Sequence, residues 1–121
     1  MTGNFNDATS IYLQIAAMLE DDILRGVLLE QERVPSTNEL ARAYSINPAT
    51  AAKGINLLVE EGILYKKRGI GMFVAQGAHD KIIAKRKDAF YETYVTSLVR
   101  EARALGLTKE ELKAMIERAQ Q

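Results

Sequence analysis

In the stretch NPATAAKGINLLVEEGI, residues 47–63, the polar side chains near the leading end are Thr50, Lys53 and Asn56, three apart among Ala49, Ala51 and Ala52. Residues spaced by three or four share one side of a helix. A lysine ammonium and an asparagine carboxamide on such a face can hydrogen-bond nucleobase edges, Lys preferring guanine and Asn adenine, while an alanine methyl can meet a thymine methyl. Further on, Lys66-Lys67-Arg68 lead into Gly69-Ile70-Gly71. Cations beside glycines suit phosphate, because a backbone without Cβ can approach closely. Other chemistries find little support. There is no cysteine, so no disulfide framework, thiol nucleophile or thiolate-bound metal. The single histidine, His79, has no second ligand near it, and the Ser36 and Thr50 hydroxyls have no base arranged by motif. Glu60-Glu61 close a helix, and no phosphate-binding glycine loop with its lysine appears. No enzyme activity, metal or cofactor is expected.

The elements that must hold these residues are written as local signals. Asn47 is a good N-cap, Pro48 suits the first helical position, and Gly62 can end the helix after it has buried Ala51, Ile55 and Leu58. Ahead of it, Ser36-Thr37-Asn38-Glu39 fits a capping box for a short helix to about Tyr44, with Leu40 and Ala41 inward, and Ser45-Ile46 turns the chain. Ser10 can cap an earlier helix to about Arg25 with Ile11, Ile15, Leu19 and Ile23 on one side, stopped by Gly26. VLLEQERVP reads as a connector of partly extended character. Residues 63–67 and 72–75 read as a hairpin bent by the glycines between them.

Residues 77–80, GAHD, look like a linker, and residues 1–9 like a loose terminus. From about 80 to 105 a helix carries Ile83, Phe90, Tyr94, Leu98, Ala102 and Leu105 on one stripe, until Gly106 breaks it. Thr108-Lys109-Glu110-Glu111 is a second capping box, opening a last helix with Leu112, Met115, Ile116 and Ala119 on its apolar side.

Net charge is zero over 121 residues, which lowers the expectation of strong non-specific attraction to polyanions. The distribution is uneven. Residues 1–35 hold two basic and six acidic groups, residues 36–80 five and four, and residues 81–121 nine and six. Lys85-Arg86-Lys87 reads as a solvated helix face. No apolar run approaches the length of a membrane span, and no signal pattern opens the chain, so a cytoplasmic protein without membrane partners is expected.

A capped helix, a tight turn and a second helix make a helix-turn-helix, whose second helix lies in the major groove of DNA; a glycine-bearing hairpin after it makes the unit a winged helix. SIYLQI (10–15), RVPSTNELA (33–41), INPATAAKGINLLVEEGI (46–63) and YKKRGIGMFV (65–74) resemble the GntR family of bacterial transcription regulators. The asparagine-proline opening and the tail of only two helices look most like its short YtrA-type branch. The resemblance implies a dimer bound to a palindromic operator. Many family members carry DNA-contacting arginines where this chain has Asn38, Pro48 and Ala52, so those contacts do not carry over.

The expected architecture is mainly α with a small β-hairpin: a winged helix-turn-helix DNA-binding domain over residues 1–76 and a two-helix dimerisation tail over 77–121. The expected DNA-facing residues are Ser36, Thr37 and Asn38 at the second helix, then Asn47, Ala49, Thr50, Ala52, Lys53 and Asn56. Lys66, Lys67, Arg68, Gly69 and Gly71 complete the set on the wing. The expected dimer seam holds Ile83, Phe90, Tyr91, Tyr94, Leu98, Leu105, Leu112 and Ile116. The expected function is a regulator, a repressor, acting as a homodimer on double-stranded DNA. Two alternatives stand beside it: a sensor with a small-molecule effector pocket in the tail, and a winged-helix protein-interaction module without DNA binding.

Overall fold

The computed structural model describes residues 10–121, so the expected loose terminus over 1–9 lies outside the described residues. The order is α1 (Ile11–Leu24), α2 (Thr37–Tyr44), α3 (Pro48–Glu60), β1 (Leu64–Lys67), β2 (Gly71–Val74) and α4 (Ala78–Phe90). A π-helical segment (Tyr91–Val95), α5 (Thr96–Ala104) and α6 (Lys109–Ala119) follow. Two compact units divide inside α4, the first ending at Ala84 and the second covering Lys85–Gln121.

In the first unit α1, α2 and α3 enclose a core that the hairpin closes. Ile15, Leu19, Leu40, Ile55, Leu58, Ile63, Leu64 and Val74 are fully buried, joined by Ala51 and Val34. Each such aliphatic side chain contributes about 1.5–3 kcal/mol relative to an exposed one. The buried positions on α1 repeat at helical spacing, and those on α3 include Gly54 beside Ala51, Ile55 and Leu58. Gly54 is there for steric reasons, since a Cβ would stand 2.8 Å from the Tyr12 carbonyl oxygen and 3.0 Å from Ile15 Cγ2. Its missing side chain sets how closely α1 and α3 approach.

The strands pair antiparallel from Leu64 opposite Val74 to Lys67 opposite Gly71. The connector before α2 joins them through a bridge between Arg33 and Phe73, with the Val34 N–H on Met72 O at 2.9 Å and the Val74 N–H on Glu32 O at 2.9 Å. The extended character expected of that connector is thus a third, minimal edge of the sheet.

The local signals at the helix ends act as written, with one exception. Ser36 accepts from the Glu39 N–H at 3.1 Å, while Glu39 Oε1 accepts from the Ser36 N–H at 3.0 Å. Thr108 and Glu111 form the same reciprocal pair, both contacts 3.1 Å. Asn47 Oδ1 accepts from the Ala49 N–H at 2.8 Å, with Pro48 at the first helical position. Gly62, at φ +74°, lets the Ile63 N–H return to Leu58 O at 2.9 Å, which satisfies carbonyls left over at the end of α3. Ser10 is the exception. It occupies the N-cap position of α1, but its hydroxyl makes no cap bond, and only its carbonyl accepts, from Leu13 and Gln14. The residue is exposed, so water can serve the orphan amides.

Glu39 carries a testable consequence of its box. The Ser36 N–H, then the Ser36 hydroxyl, hold its carboxyl below the ordinary 4.5. A depressed folded pKa gives stability that is present above the unfolded value and is lost as pH falls through the folded one. Glu39→Gln therefore flattens the loss of stability below about pH 4.5, read as urea midpoints between neutral pH and pH 3. An acid limb identical to the parent's would mean that the box contributes nothing to acid sensitivity.

Two expectations about the second half need correction. GAHD is not a linker: only Gly77 lies in a turn, and Ala78-His79-Asp80 form the first turn of α4. Ala78 and Ile82 are fully buried in the first unit's core, and the Lys81 ammonium donates to Gly62 O at 3.1 Å, at the end of α3. Polarity and glycine suggested a loop; tertiary burial of the alanine makes it helix. Nor is residues 80–105 one uninterrupted α-helix. The Thr96 N–H bonds Tyr91 O across a π turn, and the hydroxyls of Thr96 and Ser97 donate to the carbonyls of Glu92 (2.7 Å) and Thr93 (3.1 Å). Hydroxyls that satisfy freed carbonyls make the extra residue of a π turn tolerable. The expected stripe fails at both ends as well: Ala78 and Ile82, not Ile83, are the buried residues of α4, and Leu105 falls beyond α5 as its C-cap.

Candidate nucleic-acid interface

The helix-turn-helix closes through Ser45, which takes a left-handed conformation (φ +53°) and sends the Ile46 N–H back to Ala41 O at 3.0 Å. That three-residue turn from Ser45 to Asn47 directs α3 across α2. Because Ala51, Gly54, Ile55 and Leu58 are buried, the opposite side of α3 carries Ala49, Lys53, Asn56 and Glu60, all exposed. Ala52 and Thr50 flank it, half-buried. Ala49, Lys53 and Asn56 thus stand together on the exposed face. Glu60 on the same line was missed by sequence reasoning, although its spacing of four from Asn56 marks it. A carboxylate at that end is of the same sign as a polyanion.

Lys53 does not project freely. Its ammonium lies 4.0 Å from the centroid of the Tyr12 ring on α1. Ala49, Lys53, Asn56, Leu57 and Glu60 line a groove with Tyr12, and Ser10, Ile11 and Thr50 line a second groove on the other side of the same contact.

At the start of α2, Thr37 is half-buried and Asn38 exposed, with their amides in the first helical turn. Helix N-termini present unpaired N–H donors and a positive dipole end, which suit a phosphate. Ser36 spends its N–H and one hydroxyl lone pair within the capping box and keeps its hydroxyl hydrogen to donate to another partner. Asn47 likewise commits its amide oxygen to the cap of α3 and retains its NH2 group.

The basic run on the wing does not form one patch. Strand alternation puts Lys66 and Lys67 on opposite faces of the hairpin. Lys67 folds back over the Phe73 ring, 4.6 Å from its centroid, beside the stacked Tyr65–Phe73 pair (5.9 Å), while the Tyr65 hydroxyl donates to Gln31 at 2.6 Å. Arg68 and Gly69 (φ +77°) form the exposed tip, with Ile70 59% exposed between Gly69 and Gly71. Gly71 takes φ +142°, and its missing Cβ leaves room for Arg33 Nε, which a Cβ would meet at 2.9 Å. Arg33 is the second residue that sequence reasoning passed over. The Arg33–Phe73 bridge sets Arg33 alongside the wing, with its guanidinium against Gly71 and near enough to Glu39 to lower that carboxyl's pKa further. Nothing local signals it, because the pairing joins residues forty apart.

No helix among the described residues is long and apolar enough to cross a membrane. No group of three His, Cys, Asp or Glu among the described residues could hold a metal ion, and His79 Nδ1 lies 3.5 Å from Asp80 Oδ1.

Comparison with known proteins places this arrangement. The model of the gntR family of bacterial regulatory proteins matches residues 11–74. The uncharacterized HTH-type transcriptional regulator YhcF of Bacillus subtilis is 33% identical over 112 residues, 93% of this chain and 91% of that protein. The HTH-type transcriptional repressor YtrA of the same organism is 28% identical over 109 residues, 90% and 83% of the two chains. Among solved structures, a GntR-family transcriptional regulator from Bacteroides thetaiotaomicron superposes with a TM-score of 0.73 at 39% identity, covering 89% of this chain and 94% of that one. The DNA-binding domain of AraR in complex with its operator ORX1 gives a TM-score of 0.54 at 30% identity, covering 62% of this chain and 92% of that one. With the family model spanning more than half the chain, and the α2–turn–α3 unit and wing where that family has them, the chain belongs to the GntR family of bacterial regulatory proteins and is a DNA-binding transcription regulator.

Proposed function

We propose that the protein is a cytoplasmic repressor that occupies a palindromic operator as a homodimer, with residues 1–76 as the DNA-binding domain and 77–121 as the dimerisation tail. The observation that carries this reading is the exposed face of α3, framed by the capped start of α2 and the basic, glycine-bearing wing. In this reading α3 enters the major groove. Lys53 and Asn56 bond base edges, and Ala49, Thr50 and Ala52 permit close approach and methyl contact. Ser36, Thr37 and Asn38 with Asn47 hold phosphates near the helix starts. Lys66, Lys67, Arg68, Gly69 and Gly71 follow the adjacent backbone or minor groove. Few base hydrogen bonds leave a share of specificity to DNA shape. That AraR's DNA-binding domain is held on operator DNA at 30% identity supports the assignment.

The dimer rests on the second unit's surface. Phe90, Tyr91, Tyr94, Leu98, Leu105 and Ile116 are all exposed there, Tyr94 at 64% and Leu105 at 66%, and Leu112 is half-buried. Ile83, also half-buried, belongs to the first unit. So much apolar surface on one short segment is characteristic of an interaction face. Two-fold symmetry then places half-sites about 34–36 Å apart if both α3 helices address one side of the duplex.

Selection of bound sequences from random duplex DNA at about 0.15 M salt, where non-specific binding is damped, tests the reading. An enriched inverted repeat is expected. On that repeat Lys53→Ala costs about tenfold in affinity and relaxes the preference at one base pair, whereas Arg68→Ala weakens all duplexes alike and lowers the salt slope by about one. Absence of any enriched sequence would favour the protein-interaction alternative. One observation favours an effector as a second reading. Tyr91, Val95, Thr96 and Val99 line a groove with Arg100 and Arg103, two guanidinium groups without an ion pair among the described residues, which suits a small anion. Ligand-dependent melting shifts would identify it.

A further inference from the structure

The Tyr12–Lys53 contact is an unassigned part of the reading face. Lys53 is the only cation on the exposed side of α3, and it forms no ion pair among the described residues. Its ammonium lies instead over an aromatic face, 4.0 Å from the centroid. Glu60 lies in the same groove without taking the charge. The choice of partner matters chemically. A carboxylate would occupy the ammonium N–H donors and bring a negative charge against DNA. A ring face attracts the cation through its quadrupole and leaves the donors available.

The contact follows from packing. Gly54, next in the chain to Lys53, lets the Tyr12 backbone come to where a Cβ would stand only 2.8 Å from its carbonyl oxygen. That approach sets the half-buried Tyr12 beside the Lys53 stem. Its neighbours Ala49 and Ala52 end in methyl groups too short to brace a four-carbon side chain, whereas Tyr12 offers the groove a ring face. A lysine left loose pays rotamer entropy when it is fixed on binding, and a group already held in place loses less. The Tyr12 hydroxyl has no hydrogen bond among the described residues, so the ring alone accounts for the contact.

We propose that Tyr12 is a positioning residue for sequence recognition: its ring holds the Lys53 ammonium in place so that Lys53 reads a guanine edge with less loss of side-chain freedom. This rests on the DNA-reading assignment of α3 above. The residue belongs to α1, outside the helix-turn-helix, so the reading face extends to a third helix.

The test uses the full chain, the duplex that the parent protein selects from a random pool, and versions of that duplex with each G·C pair replaced in turn. Four variants are compared with the parent: Tyr12→Phe, Tyr12→Leu, Lys53→Ala and the double Tyr12→Leu/Lys53→Ala. Lys53→Ala is expected to erase discrimination at one G·C pair. Tyr12→Leu should reduce discrimination at that same pair about fivefold, and Tyr12→Phe should leave it at the parent level. The double variant should be no worse than Lys53→Ala alone. Proton NMR of the free proteins reports the contact whether or not DNA binds: the Lys53 ε-methylene is shifted upfield by the ring in the parent and in Tyr12→Phe, and returns to its ordinary position in Tyr12→Leu.

Full discrimination in Tyr12→Leu, despite loss of the ring shift, would overturn the proposal and leave the regulator reading intact. So would a loss spread evenly over all duplexes, or an equal loss in Tyr12→Phe, either of which marks Tyr12 as a phosphate contact. A parent that enriches no sequence removes the DNA-reading assignment itself, and the proposal with it.

Discussion

Replacing Leu98 by aspartate is expected to turn the protein into a monomer and to lower its affinity for a two-half-site operator by about 100-fold. Leu98 is 45% exposed, so a charge there leaves the protomer fold in place and acts only on what covers that face. It lies one turn beyond Tyr94, whose ring meets Phe90 at a centroid distance of 5.4 Å, and the three form the middle of the apolar surface. In the proposed dimer an interface residue of this kind costs about 2 kcal/mol or more when lost, and two-fold symmetry applies that cost twice. Loss of dimerisation removes the second half-site as an intramolecular event, which is where the 100-fold arises. Sedimentation equilibrium gives the mass, circular dichroism the retained helix content, and titration on full-site and half-site duplexes separates avidity from contact. A Leu98→Asp protein that stays dimeric would move the seam elsewhere.

The second large effect is expected at Gly54. Gly54→Val should lower stability by about 3 kcal/mol, with Gly54→Ala between it and the parent. The neighbours that a Cβ would meet are the Tyr12 carbonyl at 2.8 Å and the buried Ile15 side chain at 3.0 Å, neither of which is a flexible end. Relief requires α1 to move as a body, and α1 carries Ile15, Leu19 and Ile23 into the core. Alanine regains about 1 kcal/mol from its better helix propensity, while valine adds two methyl groups and a stiff χ1. Urea unfolding of the three proteins gives the order directly. Equal midpoints for valine and glycine would mean that the α1–α3 distance is not set at this residue. The surviving folded fraction of either variant should also show a weaker Lys53 ring shift, because the same displacement withdraws Tyr12.

The two substitutions probe different levels of the molecule, and the sequence spoke to them unequally. Leu98 belongs to an apolar pattern visible in one segment. Gly54 inside a capped helix looks like a propensity penalty until the partner helix is in view. The same division runs through the fold. Ser36 with Glu39, Thr108 with Glu111, Asn47 with Pro48, and Gly62 after α3 are contacts between residues at most a turn apart, so the order of neighbouring residues states them. The burial of Ala51, Ile55 and Leu58 follows from helical period, and with it the exposure of Ala49, Lys53 and Asn56.

GAHD shows where that reading stops. Glycine and two polar residues look like a linker, but Ala78 and Ile82 fill the core and convert it to helix. The π turn at Tyr91–Val95 depends on hydroxyls reaching carbonyls four residues back, a choice no periodicity states. Arg33 reaches the wing only through a strand bridge forty residues long in sequence, and Lys53 meets Tyr12 across two helices. The first five elements, the caps at Ser36, Asn47, Gly62 and Thr108, the outward face of α3 and the family resemblance were legible in the order of residues, because these depend on interactions within a turn or on a repeating period. Which partner each outward side chain meets was settled by the packing of the helices. Those contacts depend on the distance between elements, and here a single absent methyl group controls that distance.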